Sequence, residues 1–157
     1  MTKCVVITGS NGGIGKALVQ TFLDDDYLVL GLDKDFDQHI KSKKIKEIDT
    51  DLYTFAKDQK YRHNLFNKMK ALLPDQLEEF ILINNAAEQI LESISDIDWN
   101  NWEKSIAVNT VAPFFLVQGF IHHLTESKGS VINISSIHSR LTKSRFTSYA
   151  ASKSALE

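Results

Sequence analysis

The sequence predicts an α/β protein: a doubly wound parallel sheet with helices on both faces, in three layers. Two observations carry this. Apolar runs of strand length alternate with helix-period segments along the whole chain, a succession that pairs strands in parallel. The run "FILI" is apolar without alternation, as a strand covered on both sides permits. With 157 residues, 43% hydrophobic and 24% charged, the chain can bury one core, so residues 1–157 are read as a single domain.

The elements follow in order. "CVVIT" (4–8) is the first strand, and apolar residues at helical spacing over 13–24 form the first helix. "DDDY" (24–27) closes that helix as a solvated turn, with Asp26 in the left-handed position glycine often fills. The reading of these carboxylates as a metal site is rejected. "YLVLGL" (27–32) and the short "KIKEI" (44–48) are the second and third strands. A helix is expected over 61–73, with Leu65, Met69 and Leu72 on one face. "FILIN" (80–84) is the fourth strand. A long helical segment runs over 99–126, in which Pro113 should remove one backbone hydrogen bond and kink the helix. "SVINIS" (130–135) is the fifth strand, and a helix opens near Ser148.

Charge and composition narrow the partners. The net charge is −2, with both signs interspersed, which leaves no basic surface for a nucleic-acid backbone. No uninterrupted apolar run approaches the roughly 18 residues of a membrane span. The lone Cys4 excludes an internal disulfide, and the N-terminus lacks a signal-peptide pattern, so a reducing, cytoplasmic setting is expected. His122 and His123 diverge on a helix and lack a third partner at metal spacing, so no metal site is expected.

Chemistry concentrates at three places. "VVITGSNGGIGKAL" sets Gly9, Ser10, Asn11, Gly13, Ile14 and Gly15 between the first strand and the first helix. Glycines there permit a tight turn and close backbone approach, and the helix N-terminus offers N–H groups to a pyrophosphate. The second strand leads to Asp33, 18 residues beyond Gly15. A carboxylate there can accept hydrogen bonds from ribose hydroxyls and repels a 2′-phosphate, which favours NAD(H). Lys34 beside it leaves NADP(H) open. The third place is Tyr149 with Lys153, four residues on and on the same helical face, preceded by Ser136 at the end of the fifth strand. A nearby ammonium lowers a phenol's pKa and lets it exchange protons at neutral pH. Ser136 is suited to hydrogen-bond a substrate oxygen as charge develops. Tyr53 and Lys57 share the spacing but have no such serine, and are read as a helix surface pair.

Taken together, "TGSNGGIG" (8–15), "DTDL" (49–52), "NNAA" (84–87), Val108 with Asn109, "SS" (135–136) and "YAASK" (149–153) resemble the classical short-chain dehydrogenase/reductase family, in order and spacing. The resemblance implies a Rossmann-like sheet of order 3-2-1-4-5 and an NAD(P)-dependent oxidoreductase interconverting an alcohol and a carbonyl. It implies catalytic roles for Asn109, Ser136, Tyr149 and Lys153, an adenine-side contact for Asp51 and Leu52, and a ribose-flanking loop of Asn84, Asn85 and Ala86. Tyr149 and Lys153 would also hold the cofactor. Asn109 would help hold a water that relays protons to solvent. Ala87 stands where the family more often has Gly, which matters only if the backbone there needs a positive φ. "IHSRLTKSRFTS" (137–148) should border the substrate, with His138, Arg140, Lys143 and Arg145 as candidate contacts. A small-molecule substrate and a homo-oligomer are the implied partners. The family fold is longer than this sequence, so the expectation is a form lacking the last strands, with weak NAD(H) binding and low or absent turnover. The alternative is a non-catalytic nucleotide-binding or interaction protein that uses an exposed sheet edge.

Overall fold

The computed structural model describes residues 2–37 and 39–157. Five parallel strands, β1 (Thr2–Thr8), β2 (Leu28–Asp33), β3 (Ile45–Asp49), β4 (Leu77–Asn84) and β5 (Lys128–Asn133), lie in the order β3-β2-β1-β4-β5. The strand order therefore reverses between β1 and β4, and ligands of such sheets bind beyond the strand ends at that reversal.

Apolar side chains fill both faces. On one, Val5, Ile7, Val29 and Ile83 pack with Val19 of α1 (Gly13–Asp24). On the other, Val6, Leu30, Phe80 and Leu82 meet α2 (Leu52–Lys57), α3 (Gln59–Lys70) and α5 (Ala112–Glu126) through Phe55, Met69, Leu116 and Phe120. Phe66 links Phe55 to Phe120 by edge-on ring contacts at 5.5 and 5.4 Å between centroids, the geometry aromatic quadrupoles favour.

The turn after α1 is as expected. Asp26 has φ of 67°, its N–H donates to Leu23 O, and the N–H of Tyr27 donates to Phe22 O at 2.9 Å, a paired C-terminal closure of the helix. Its carboxylate contacts the Lys44 ammonium.

Several boundaries differ from the sequence reading. β4 begins at Leu77, ahead of the apolar run, because Glu79 pairs with Lys3 of β1 and Glu78 lies beside it. β5 ends at Asn133, and Ile134 makes one last backbone bond, to Asn84 O, before the chain turns away. Apolar periodicity is too short to reveal α2, whose ends are set by polar caps. Asp51 accepts from the Tyr53 N–H at its start, and Asp58 accepts from the N–H groups of Lys60 and Tyr61, opening α3 immediately afterwards.

The 99–126 segment is three pieces: α4 (Trp99–Ile106), a wide turn with i to i+5 bonding over Ala107–Val111, and α5. The irregularity expected at Pro113 thus lies ahead of it. Pro113 becomes an early residue of α5, where a missing N–H and a fixed φ are tolerated. By length and composition the combined segment, Trp99–Glu126, could cross a bilayer, which an uninterrupted-run criterion overlooks. Here Leu116 and Phe120 are buried against the sheet. The outer edge of β5 is exposed, Val131 by 40% and Ile132 by 43%.

Candidate functional site

A cleft of about 740 Å³ opens at the strand ends beside the β1–β4 reversal. Its floor is the glycine-rich turn. Gly9 has φ of +63°, and a Cβ there would fall 2.9 Å from Ala86 Cα, so the turn and the loop after β4 can approach only without a side chain. A Cβ at Gly15 would fall 1.9 Å from Gly9 O, whereas one at Gly13 meets nothing within 4 Å among the described residues. Gly13 therefore leaves vacant space in the cleft that a side chain would fill. α1 begins there with no side-chain cap and no acidic residue in its first turn. Uncapped N–H groups at the positive end of a helix, facing an open cradle, fit a dinucleotide's diphosphate.

Asp33, at the end of β2, lines the cleft beside that cradle. One carboxylate oxygen accepts from the Asn11 N–H and the other from the Lys34 N–H, both at 2.8 Å. These bonds fix its orientation and leave lone pairs for ribose hydroxyls. Leu32, Thr50 and Leu52 line the same end of the cleft. The Asp51 carboxylate caps α2 through the Tyr53 N–H and also accepts from the Thr54 hydroxyl at 2.9 Å, one bond to each oxygen, and its neighbours Thr50 and Leu52 line the cleft. Ser10 is buried under the turn, and Asn11 reaches Asp35 O with its side-chain amide.

The loop after β4 is held by Thr8, which the sequence reading did not single out. Its hydroxyl oxygen accepts from the N–H groups of Asn85 and Ala86, each at 3.0 Å, while the Asn85 amide donates to Thr8 O and Gly9 O. Asn84 points under the sheet end, donating to Asn133. Ala87 does not have a positive φ, so its β-carbon costs nothing there.

Asn109 sits in the wide turn, fully buried. Its side-chain oxygen accepts from the Glu88 N–H at 2.7 Å, and its amide donates to Glu88 O at 3.0 Å and to the Ser152 hydroxyl at 2.8 Å. One side chain thereby ties the loop after β4 to α6 (Thr147–Leu156). Ser152 and the buried Ser105–Ser148 pair, also missed by the sequence reading, complete this seam.

Tyr149 lines the cleft. Lys153 lies one helical turn away with Nζ 5.9 Å from the Tyr149 ring centroid, and donates to Ile134 O at 2.7 Å. Its side chain is almost wholly buried, and that burial lowers its pKa from the usual lysine value. Ser136 lies three residues past β5, and its hydroxyl accepts from the His138 N–H at 3.2 Å. His138 stacks on Phe146 at 4.0 Å between centroids and lies edge-on to Tyr149 at 6.3 Å. Its buried Nδ1 has no partner among the described residues. Arg140 pairs with Glu157, Arg145 donates to Leu91 O, and Lys143 lies over the Phe146 ring, so the first two are engaged with the chain itself. Tyr53 and Lys57 form a separate cluster with Glu103, Lys57 Nζ lying 3.0 Å from the Tyr53 hydroxyl and 2.9 Å from the carboxylate.

A parallel sheet with an uncapped helix start, a carboxylate at the second strand end, and a cleft-lining tyrosine with a buried lysine one helical turn from it defines a dinucleotide-binding α/β protein. A model of the short chain dehydrogenase family matches residues 3–157, and the chain belongs to that family. The chain is 27% identical to D-beta-hydroxybutyrate dehydrogenase of Rhizobium meliloti (strain 1021) over 157 residues, covering 98% of this chain and 61% of the relative. Among solved structures it resembles 4-hydroxyisoleucine dehydrogenase complexed with NADH, with 31% identity, TM-score 0.83, and coverage of 99% of this chain and 65% of the other. It also resembles ElxO with NADP bound, with 25% identity, TM-score 0.81, and coverage of 99% and 64%. The chain spans about three-fifths of the length of the end-to-end curated relatives it matches.

Proposed function

We propose that this chain is the dinucleotide-binding and proton-transfer part of an NAD(P)-dependent oxidoreductase that interconverts an alcohol and a carbonyl, with NAD(H) the favoured cofactor. The carrying observation is that Tyr149 lines the same cleft as Gly13 and Asp33, with the buried ammonium of Lys153 5.9 Å from its ring centroid. When bound, the dinucleotide supplies or accepts the hydride at the substrate carbon. The protein's part is to hold it and to move a proton. Gly9, Gly13, Ile14 and Gly15 present backbone to the diphosphate, Asp33 accepts from the adenosine ribose, and Lys153 has two further N–H groups for the second ribose. In reduction, the Tyr149 hydroxyl gives its proton to the oxygen that becomes negative as hydride arrives; in oxidation the tyrosinate takes it back. The Lys153 ammonium stabilises that tyrosinate through a low-dielectric path, which strengthens the interaction. Ser136 holds the reacting oxygen, and Asn109 keeps the loop and α6 in register. Two matched relatives carry names of hydroxy acids, which supports a small hydroxy or oxo acid as substrate.

The test has two parts. NADH fluorescence titration of the 157-residue chain should give saturable binding, weakened at least tenfold by Lys153→Met. In the whole protein, Tyr149→Phe should lower turnover on a panel of hydroxy acids at least a hundredfold while leaving NADH affinity within twofold. Absence of saturable binding, or a Tyr149→Phe protein with normal turnover, contradicts the proposal.

A further inference from the structure

A chain of charges runs beside the cleft that neither the fold nor the proton-transfer set requires. Lys34, the residue after β2, places Nζ 3.7 Å from one Glu88 carboxylate oxygen, and Lys104 on α4 places Nζ 3.2 Å from the other. Glu88 belongs to the loop after β4. Its backbone is clamped at N and O by the buried Asn109 side chain, so the carboxylate projects from a fixed base, independently of either lysine. Both Lys34 and Glu88 line the cleft with Asp33, and among the described residues lining it Lys34 is the only lysine or arginine.

This arrangement bears on which nucleotide fits. Asp33 presents one negative charge at the adenosine end. A 2′-phosphate adds nearly two more and needs a cation, and Lys34 is the cation at hand. Its ammonium already faces Glu88, however, and the three charged groups lining the cleft sum to −1. An exposed ion pair at this distance contributes little to stability, so its consequence is electrostatic. We infer that Glu88 is a second nucleotide-specificity residue: it occupies Lys34 as an internal counter-ion and thereby withholds the charge a 2′-phosphate would use. Asp33 disfavours the phosphate by repulsion, and Glu88 does so by sequestering the cation.

The inference rests on the dinucleotide-binding reading, and the experiment separates the two. NADH and NADPH dissociation constants are measured by fluorescence titration for the wild-type chain, for Glu88→Gln, and for Glu88→Gln combined with Lys34→Met. Glutamine keeps the backbone bonds to Asn109, and the melting temperature should move by no more than about 2 °C. Glu88→Gln should shift the affinity ratio toward NADPH by about three- to tenfold, the scale of one unit charge a few ångströms away in partly solvated surroundings. Adding Lys34→Met should abolish that gain. A ratio unchanged in Glu88→Gln, while wild type binds NADH, overturns the role of Glu88 and leaves the broader reading standing. A gain that persists without Lys34 also overturns it, because the lysine is then not the group released. If wild type binds neither nucleotide, the broader reading fails and this one falls with it.

Discussion

Two glycines two residues apart in the same turn should respond in opposite ways to one added methyl group. A Cβ at Gly15 would lie 1.9 Å from Gly9 O, 2.8 Å from Gly9 C and 2.8 Å from Ser10 Cα, where non-bonded heavy atoms prefer about 3.5 Å. All three neighbours are backbone, so no rotamer change relieves the overlap and α1 must move off the turn. Such overpacking should cost about 3 kcal/mol or more, or about 6–12 °C of melting temperature for a domain of this size. Gly13 is the first residue of α1, lacks a positive φ, and has open space around it. Alanine there should leave stability unchanged or raise it by up to about 1 kcal/mol. The same methyl group intrudes on the diphosphate cradle, so NADH affinity should fall at least tenfold. Thermal unfolding and NADH fluorescence titration on both variants decide the matter. A Gly15→Ala protein that melts with wild type would refute the packing argument, and a Gly13→Ala protein that binds NADH normally would refute the location of the cradle.

Asn109→Ala removes three hydrogen bonds and leaves the Glu88 N–H without that partner; urea unfolding should show a loss of about 2–4 kcal/mol. Lys57→Met should leave NADH affinity within twofold in the same titration, since its Tyr53–Glu103 cluster is separate from the cleft lining. Burial, with smaller repulsion from Lys70 and His122, lowers the pKa of His123, whose Nδ1 is buried without a partner among the described residues. As pH falls below the unfolded value of about 6.5, the unfolded chain takes up a proton that the folded chain resists, so stability should decline until the lower folded pKa is passed. Melting curves from about pH 7 to pH 5 should show this slope in wild type and a flatter one in His123→Gln.

The strands were legible because a sheet covered on both faces demands apolar runs, and "FILIN" and "VVIT" supply them without interruption. Gly13, Gly15, Asp33 and Tyr149 were legible as cleft residues because backbone approach, ribose recognition and phenol chemistry each demand a residue type at a place set by strand ends. α2 was not legible, because two aspartate caps rather than a periodic stripe define it. Asp51 carries a task that its motif did not signal, since each of its oxygens accepts one local bond at the start of α2. Thr8 and Glu88 act through pairings between segments distant in sequence, at |i−j| of 77 for Thr8 with Asn85, and local pattern carries no trace of such partners. The spacing of Tyr53 and Lys57 duplicates that of Tyr149 and Lys153; the strand-end Ser136 told the pairs apart in the sequence, and the cleft, lined by Tyr149 and not by Tyr53, agrees.

The widened turn over Ala107–Val111 amounts to one surplus residue spliced into an otherwise regular rod. Excising a single residue there would heal the rod into a uniform coil of better intrinsic geometry and leave its two arms nearly in register, because the wide turn absorbs the surplus locally, yet it would aim the residues of that turn in new directions. Asn109 would then swing off Glu88, and the loop flanking the nucleotide would lose its tether. The flaw in the helix is what aims the anchor.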